Sequence, residues 1–327
     1  MHDAQAPVHC APVLLAATLP TAMRDALAAR YTLSGPLSSP FAGAVAAMPD
    51  AARAAVRAIV SVGSVVITRE VLARFPALGL VCCIGSGYEG IDVAAARARG
   101  IAVAHSPGAN AASVAEVAMG LLIASVRGFR PEAARIGDGG WRGNAQARAA
   151  VRHGLAGRRL GIYGMGAIGT AIARRAHAFD MQIGYHNRRP RADTDARYFD
   201  SLAGLAAWCD VLMVSVRAAE ATRHAVDAGV LAALGADGHV VNIARGNVID
   251  EAALIDALQR GVIAGAGLDV FEHEPAVPAA LLALPGVIAL PHIGGASREA
   301  QAVMQAMTLA NLEAFFAGAP LPSPVAA

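Results

Sequence analysis

The sequence has no lysine, so all 27 of its Lys and Arg positions are arginine. Without lysine the chain cannot form a Schiff base with a carbonyl substrate or with pyridoxal phosphate, and it has no P-loop lysine for a nucleotide phosphate. It also cannot form a proton relay from tyrosine and lysine. Each of these classes of chemistry is therefore excluded.

Cysteine is also scarce in this chain. The four cysteines, Cys10, Cys82, Cys83 and Cys209, have neither the spacing of metal ligands nor that of a disulfide framework. We therefore expect no metal site. Cys82 and Cys83 are adjacent in an apolar run, where small core residues of a protein in a reducing compartment are the simpler interpretation.

Charge is low and nearly balanced, with 27 basic and 25 acidic residues and a formal net charge of +2. A protein that neutralises many nucleic-acid phosphates carries a larger positive excess, so no nucleic-acid partner is expected. The best membrane candidate, residues 276–291, contains Pro278, Pro285 and Pro291, which a spanning helix hardly tolerates. Because the N-terminus also has no signal-peptide pattern, we expect a cytoplasmic protein without a membrane partner.

Short apolar runs alternate with segments of helical period, which predicts a parallel α/β architecture. Strands are predicted at 12–17, 56–61, 78–83 and 101–106, and in a second series at 158–164, 181–186, 210–216, 239–244, 264–270 and 287–290. Between the series a long apolar-faced helix is predicted at 112–129, with Ser113 as its N-cap and Glu116 three residues on. A final helix at 297–318 is expected to pack back on the first series.

The sharpest local motif is G-x-G-x-x-G, formed by Gly164, Gly166 and Gly169 directly after an apolar strand. In such a motif the first glycine allows a tight turn and the second lets a pyrophosphate approach the backbone. The third permits close packing of the helix, whose N-terminus attracts the anion. This context predicts dinucleotide binding, with a tight turn that binds no ligand as the alternative.

The second strand of this series ends without a carboxylate, in the sequence Tyr-His-Asn-Arg-Arg-Pro at 185–190. An NAD-binding protein usually has Asp or Glu here to accept a hydrogen bond from the ribose 2′-hydroxyl. A carboxylate would repel a 2′-phosphate, whereas Asn187, Arg188 and Arg189 would bind it. The segment therefore favours NADPH over NADH, and a solvated basic loop is the alternative.

Three later strand ends carry residues suited to reducing a carbonyl. Arg245 follows one strand and is placed to bind a carboxylate through two of its guanidinium nitrogens, unless it serves a structural ion pair. The next strand leads to two glutamates, Glu272 and Glu274, and His292 follows the last. A Glu–His pair would favour the imidazolium that protonates the carbonyl oxygen as hydride reaches carbon. Spacing alone does not choose between the glutamates.

From about residue 55 to 318 the chain resembles the D-2-hydroxyacid dehydrogenase family. The segments that carry the resemblance are VCCIGSGYEGID, SPGANAASVAE, GIYGMGAIG, VNIARGNVIDE, GLDVFEHEP and LPHIGGAS, with their order and spacing intact. The resemblance implies that Arg245 binds the carboxylate and carbonyl of the substrate and that His292 is the acid/base. Its pattern selects Glu274, which precedes Pro275, as the partner of His292.

The same resemblance implies further contacts. The backbone N–H groups of Ser86 and Gly87 would hold the substrate carboxylate, and Asp269 would lie near the nicotinamide carboxamide. The missing acid after the second strand resembles the family's NADPH-using glyoxylate, hydroxypyruvate and hydroxyphenylpyruvate reductases. The residues expected to contact the dinucleotide are Gly164, Met165, Gly166, Ala167, Ile168, Gly169, Asn187, Arg188, Arg189, Val216, Ile243, Ala244, Arg245, Asp269, His292 and Gly294.

The family also implies the domain plan: a Rossmann dinucleotide-binding domain at 107–292, inserted in a discontinuous flavodoxin-like α/β substrate domain at 1–106 and 293–327. Homodimers are usual in the family, with the long helix region in the interface. Trp141 and Arg142 follow that helix, and their role, at the partner's substrate cleft or in interface packing, stays open.

The leading hypothesis is reduction of a small 2-oxo acid of the glyoxylate or hydroxypyruvate type by NADPH, giving a D-2-hydroxy acid, with NADH as the second-choice cofactor. One alternative is a dinucleotide-sensing binding protein of the corepressor type. Another is an NAD-dependent D-2-hydroxyacid dehydrogenase for a different substrate.

Overall fold

The computed structural model describes residues 11–38, 40–141 and 151–326. It divides into two compact units, one of residues 1–110 with 298–327 and the other of residues 111–297. The predicted domain boundaries, after residues 106 and 292, precede these divisions by about four and five residues. Cys10 and Arg142 lie outside the described residues.

The first unit is built on a parallel sheet of five strands in the order β2-β1-β3-β4-β5. β3 and β4 are apolar almost throughout and buried, as expected for parallel strands that helices cover on both faces. Its elements up to residue 104 are β1 (Pro12–Leu15), α1 (Thr21–Ala28), β2 (Thr32–Ser34), α2 (Phe41–Ala47), α3 (Asp50–Ala55), β3 (Ala58–Val62), α4 (Arg69–Ala73), β4 (Leu80–Ile84), α5 (Val93–Ala98) and β5 (Ala102–Ala104).

The second unit is built on a parallel sheet of seven strands in the order β12-β11-β10-β9-β6-β7-β8. Its order reverses between β6 and β9, the kind of switch point at which open α/β sheets bind ligands. Its elements are α6 (Ala111–Arg127), α7 (Phe129–Gly137), β6 (Arg159–Tyr163), α8 (Ala167–His177), β7 (Gln182–His186), β8 (Arg197–Phe199), α9 (Leu202–Trp208), β9 (Val211–Val214), α10 (Ala228–Leu234), β10 (His239–Asn242), α11 (Glu251–Gln259), β11 (Gly265–Leu268), α12 (Ala279–Leu282) and β12 (Val287–Ala289).

The last helix, α13 (Arg298–Phe316), belongs to the first unit, where it packs on β4. The tail after it returns along the sheet edge: Val325 donates its N–H to the Val103 carbonyl at 2.8 Å, and Pro324 pairs antiparallel with Ala104. The buried Asn311 of α13 fixes this tail by donating to the Ser323 hydroxyl at 2.8 Å.

The helix predicted at 112–129 differs from the observed one in two respects. It is broken at Gly128, which has a left-handed φ of +63°, and α7 continues from there. Ser113 is not the N-cap: it is buried within the first turn of α6, and its hydroxyl donates to the Gly294 carbonyl at 2.6 Å. Glu116, expected to complete the cap, instead pairs with Arg175 of α8 at 3.0 Å.

No single helix in the described residues is long and apolar enough to cross a membrane. α6 and α7 reach the required length and composition only together, and they are bent by 68°.

The three described cysteines are free and buried, two in the first unit and one in the second. Cys82 and Cys83 lie on β4, and Cys209 follows α9. Burial is the main reason why the pKa of each thiol is raised above its ordinary value, so all three stay protonated.

Candidate active site

β6 leads directly into the predicted glycine turn. Gly164 has a φ of +100°, and a Cβ there would lie 2.5 Å from the Val216 backbone. A Cβ on Gly169 would lie 2.4 Å from the Gly164 carbonyl oxygen, so α8 can pack this closely only on glycine. The Cβ position of Gly166 faces open space, with no atom of the described residues within 4 Å apart from its chain neighbours. This geometry fits the three roles of glycine in a dinucleotide-binding turn.

The start of α8 also suits an anion. The helix begins at Ala167 with no side-chain cap from Gly166, so its first N–H groups have no partner within the helix. In the glycine turn that precedes the helix, the Met165 N–H donates to Asn187 Oδ1 at 2.8 Å. Asn187 therefore ties the end of β7 to the glycine turn, and its amide NH₂ donates no hydrogen bond within the described residues. Together these residues fit the pyrophosphate and ribose of a dinucleotide.

The residues that follow β7 present two exposed cations. β7 ends at His186, and the next four residues contain no carboxylate. Arg188 and Arg189 are exposed, and neither forms a hydrogen bond or ion pair within the described part of the chain. Two guanidinium groups at this position fit a 2′-phosphate better than they fit a 2′-hydroxyl.

Arg191, for which the sequence pattern predicts no role, fixes this basic segment to the glycine turn. Its Nη1 donates to the Met165 carbonyl at 2.5 Å and to the Thr170 hydroxyl at 3.0 Å. Asp193 accepts hydrogen bonds from the same guanidinium, and these hold the pKa of the Asp193 carboxyl below its usual value. The Asp193 carboxylate is therefore paired with the Arg191 guanidinium.

Arg245 follows β10, where the buried Asn242 holds its backbone. Asn242 donates from Nδ2 to the Arg245 carbonyl at 3.0 Å, and its Oδ1 accepts from the Ala244 N–H at 3.0 Å. A Cβ on Gly246 would lie only 1.8 Å from the carbonyl carbon of Phe271. The turn that carries Arg245 therefore lies directly against the loop that follows β11.

Asp269 lies in that loop and is 2% exposed. Its two carboxylate oxygens accept the backbone N–H groups of Ile293 and Gly294, each at 2.8 Å. Burial raises the pKa of the Asp269 carboxyl, while these N–H groups and His292 act in the opposite direction. Asp269 thus fixes the two residues directly after His292, an arrangement that the sequence did not predict.

Glu274 and His292 form the pair that the family pattern selects. Glu274 Oε2 lies 2.7 Å from His292 Nδ1, and Glu274 Oε1 accepts the Phe271 N–H at 3.1 Å. Burial by itself would raise the pKa of the Glu274 carboxyl, but His292, the Phe271 N–H and Arg245 outweigh it and lower the pKa. An ionised Glu274 at Nδ1 orients the imidazole and leaves Nε2 to face a substrate.

The other glutamate of the loop has a different partner. Glu272 Oε1 lies 2.8 Å from His224 Nε2 and 3.6 Å from Arg223 Nη2. The structure therefore separates the two glutamates that spacing alone could not distinguish.

The remaining predicted residues fall in two groups. Ile243 and Ala244 are buried after β10, and Val216 lies against the glycine turn. Ser86 and Gly87 follow β4 in the first unit, where the Ser86 hydroxyl donates to Asn110 Oδ1 at 3.0 Å. Ser86 and Gly87 thus belong to the first unit, whereas the other predicted site residues described above belong to the second. In the described ranges, no group of three or more His, Cys, Asp or Glu side chains could hold a metal ion.

A glycine turn at the end of β6 and a His–Glu pair beside an arginine at later strand ends define a dinucleotide-dependent oxidoreductase. Residues 119–294 match the family model for the D-isomer specific 2-hydroxyacid dehydrogenase NAD binding domain. A glyoxylate/hydroxypyruvate reductase of Arabidopsis thaliana is 38% identical over 271 residues, covering 82% of this chain and 83% of the relative. A 2-ketogluconate reductase of Gluconobacter oxydans is 37% identical over 271 residues, covering 83% and 86%.

Solved structures agree with these relatives. The crystal structure of an NADPH-dependent glyoxylate/hydroxypyruvate reductase from Sinorhizobium meliloti, in complex with NADP and malonate, has a TM-score of 0.87 and 37% identity and covers 96% of each chain. The chain belongs to the D-isomer specific 2-hydroxyacid dehydrogenase family. The predicted family, the α/β fold with a Rossmann domain and the dehydrogenase class are thereby confirmed.

Proposed function

We propose that this protein reduces a small 2-oxo acid of the glyoxylate or hydroxypyruvate type to the D-2-hydroxy acid, with NADPH as its reductant. The observation that carries the proposal is the Glu274–His292 hydrogen bond of 2.7 Å. It supplies an oriented acid close to Arg245, whose charge contributes to the lowered pKa of the Glu274 carboxyl. The relatives named as glyoxylate/hydroxypyruvate reductases support the substrate class.

In the proposed reaction the Arg245 guanidinium binds the substrate carboxylate, and its planar fork sets the orientation of the adjacent carbonyl. The reduced nicotinamide, when bound, supplies the hydride that the carbonyl carbon receives. His292 donates its Nε2 proton to the carbonyl oxygen, and the Glu274 carboxylate stabilises the imidazolium before transfer. Asp269 keeps the backbone after His292 in place.

Two exposed arginines support the choice of NADPH. We assign Arg188 first and Arg189 second to the 2′-phosphate, because both follow β7 with no carboxylate beside them. The amide of Asn187 and the uncapped start of α8 would contact the rest of the dinucleotide. The bound NADP of the Sinorhizobium meliloti relative supports this choice.

The domain roles follow from the same proposal. Residues 111–297 would bind the dinucleotide and supply the acid, and the first unit would supply the backbone N–H groups of Ser86 and Gly87 to the substrate carboxylate. This contribution of the first unit rests on the family resemblance. A Gly87→Pro enzyme, which lacks one of those N–H groups, should show a raised KM for the 2-oxo acid and an unchanged Kd for NADPH.

A homodimer is the proposed assembly. Phe129, Ile136 and Trp141 all follow α6 and are 53%, 58% and 69% exposed. Apolar side chains exposed together on one segment are typical of an interface between subunits. Light scattering after size exclusion should give a dimer mass for the wild type and a monomer mass for Ile136→Glu, whereas Phe179→Glu, at an exposed aromatic elsewhere, should stay dimeric.

The proposed activity is tested by kcat/KM for glyoxylate, hydroxypyruvate, pyruvate and phenylpyruvate, each with NADPH and NADH. We expect turnover with NADPH and glyoxylate, and D-glycerate as the product from hydroxypyruvate. Tight NADPH binding without turnover of any of these acids would instead support the dinucleotide-sensing alternative. Efficient use of NADH with another acid would support the NAD-dependent alternative. A cytoplasmic location stays a prediction.

A further inference from the structure

A second His–Glu pair lies in the second unit, formed by His224 and Glu272. Their Nε2 and Oε1 atoms are 2.8 Å apart, and the Glu272 side chain is only 14% exposed. Arg223 lies 3.6 Å from the same oxygen, and the Glu272 backbone N–H donates to Glu251 Oε2 at 3.3 Å. The proposed chemistry uses none of these side chains.

The backbone of His224 is held in an unusual conformation. Its φ is +49°, in the left-handed region, and among the described residues only Asp180 and His292 share a positive φ without being glycine. Such a conformation persists only where the surroundings hold it, and it is concentrated at functional sites. At His224 two contacts do so: the bond to Glu272, and a backbone N–H donated to the Asn247 carbonyl at 2.8 Å.

These two contacts reach both loops of the candidate active site. Asn247 lies two residues after Arg245, in the same turn. Glu272 lies two residues before Glu274, in the same loop. His224 therefore connects the segment that carries the carboxylate-binding arginine to the segment that carries the partner of the catalytic histidine.

We propose that His224 is a positioning residue for the reduction. Through Glu272 it holds the loop of Glu274 so that the Glu274 carboxylate stays bonded to His292, although His224 itself contacts neither substrate nor dinucleotide. This inference rests on the proposed function, because it is read out through the acid role of His292.

The pH profile of kcat/KM can report the position of Glu274, because different charged groups surround the two glutamates. The groups that face Glu272 are His224, Arg223 and Glu251, and those that face Glu274 are His292, Arg245 and Asp269. Substitution of His224 removes none of the groups that face Glu274. A shift of the alkaline limb in such a variant therefore reflects a displaced Glu274 and not a lost charge.

The main variant is His224→Asn. Asparagine tolerates the left-handed region but is too short to reach Glu272, so the backbone contact survives while the side-chain contact is lost. We expect the alkaline limb of kcat/KM for 2-oxo acid reduction to move to lower pH by about half a unit or more, with the Kd for NADPH unchanged. His224→Gln has a longer side chain whose amide can donate to Glu272. In this variant the alkaline limb should stay close to its wild-type pH.

Two further variants make the result specific. Glu272→Ala removes the same contact from the other side and should shift the limb in the same direction. His273→Ala is the matched control, because this exposed neighbour in the same loop forms no hydrogen bond or ion pair within the described ranges. It should leave the limb in place.

A double variant decides between positioning and general destabilisation. If His224 acts through Glu274, then His224→Asn should cause no further shift in a Glu274→Gln background. An unmoved limb in His224→Asn and Glu272→Ala, or a shift that adds fully to that of Glu274→Gln, overturns the inference while the proposed function stands. A wild-type enzyme that reduces none of the 2-oxo acids overturns the proposed function, and this inference with it.

Discussion

The carboxyl edge of the seven-stranded sheet has two ends that differ in how their side chains are held. After β10 and β11, buried polar groups fix the chain: Asn242 bonds the backbone of Arg245, and Asp269 bonds the residues after His292. After β7, by contrast, Arg188 is exposed and forms no contact of this kind within the described part of the chain. The backbone is tied by hydrogen bonds at both ends, but the polar side chains that hold it after β10 and β11 are buried, whereas the Arg188 side chain after β7 is solvated.

This difference matches what each end has to do. Proton donation and bidentate binding of a carboxylate both require side chains that are positioned to within a fraction of an ångström. Buried hydrogen bonds to the backbone that carries these side chains provide such positioning. Attraction between a guanidinium and a phosphate tolerates motion and is screened by salt. Substitutions should therefore have large, salt-insensitive effects at the β10–β12 end and smaller, salt-dependent effects at the β7 end.

The largest effect is expected at His292. His292→Ala removes the acid and should lower kcat for 2-oxo acid reduction by about 10²–10⁴-fold, with the Kd for NADPH little changed. Steady-state kinetics and a fluorescence titration of NADPH measure the two quantities. A variant that retains most of its kcat would show that another group donates the proton.

Loss of Arg245 should have the next largest effect. Arg245→Ala removes a charge-assisted contact worth about 1.5–3 kcal/mol, which lowers kcat/KM by about ten- to a hundredfold. Arg245→Lys should restore only part of it, because an ammonium cannot replace the planar fork. If kcat/KM for every 2-oxo acid survives Arg245→Ala within a factor of about two, Arg245 is structural.

Glu274 should control the pH dependence. Because the pKa of its carboxyl is lowered, Glu274 favours the imidazolium of His292 until the pH falls through that lowered pKa. Glu274→Gln removes the charge, so the alkaline limb of kcat/KM for reduction should move to lower pH, by about one unit. Profiles from pH 5 to 10 test this, and Glu272→Gln, which alters the other glutamate, should move the limb less.

The smallest and most salt-sensitive effect is expected at Arg188. The wild type should prefer NADPH to NADH by kcat/KM, and Arg188→Ala should reduce this preference about tenfold, mainly through NADPH. The preference should also shrink as ionic strength rises. Equal use of the two cofactors by the wild type, or a preference that salt does not alter, would remove the contrast between the two ends of the sheet.

Local features of this molecule could be predicted from the sequence. The strand before the glycine turn was predicted at 158–164 and is observed at Arg159–Tyr163, because a buried apolar run and its turn are encoded by neighbouring residues. The short strands Thr32–Ser34 and Arg197–Phe199 were missed, because they lie at sheet edges and have no buried apolar run. The break at Gly128 was missed because the helical period continues across it.

The candidate site divides in the same way. Arg245 and His292 could be proposed because each follows a recognisable strand, whereas Glu274 was chosen over Glu272 only by the family pattern. The bond between His224 and Glu272 spans 48 residues of chain, and no local pattern pairs two such distant side chains. Asp269 was assigned toward the nicotinamide, but its bonds to the backbone after His292 depend on a loop conformation that only the fold determines.

Each unit contains at least one buried cysteine whose rate of alkylation reports how often that unit opens. A thiol buried in a folded core reacts with an alkylating reagent only after that part of the chain opens. Modification of Cys82 and Cys83 would time the opening of the five-stranded sheet, and modification of Cys209 that of the seven-stranded sheet. Pulsed alkylation read by mass spectrometry of peptides could therefore measure how much a bound dinucleotide slows the opening of one sheet and leaves the other unaltered, with no engineered label.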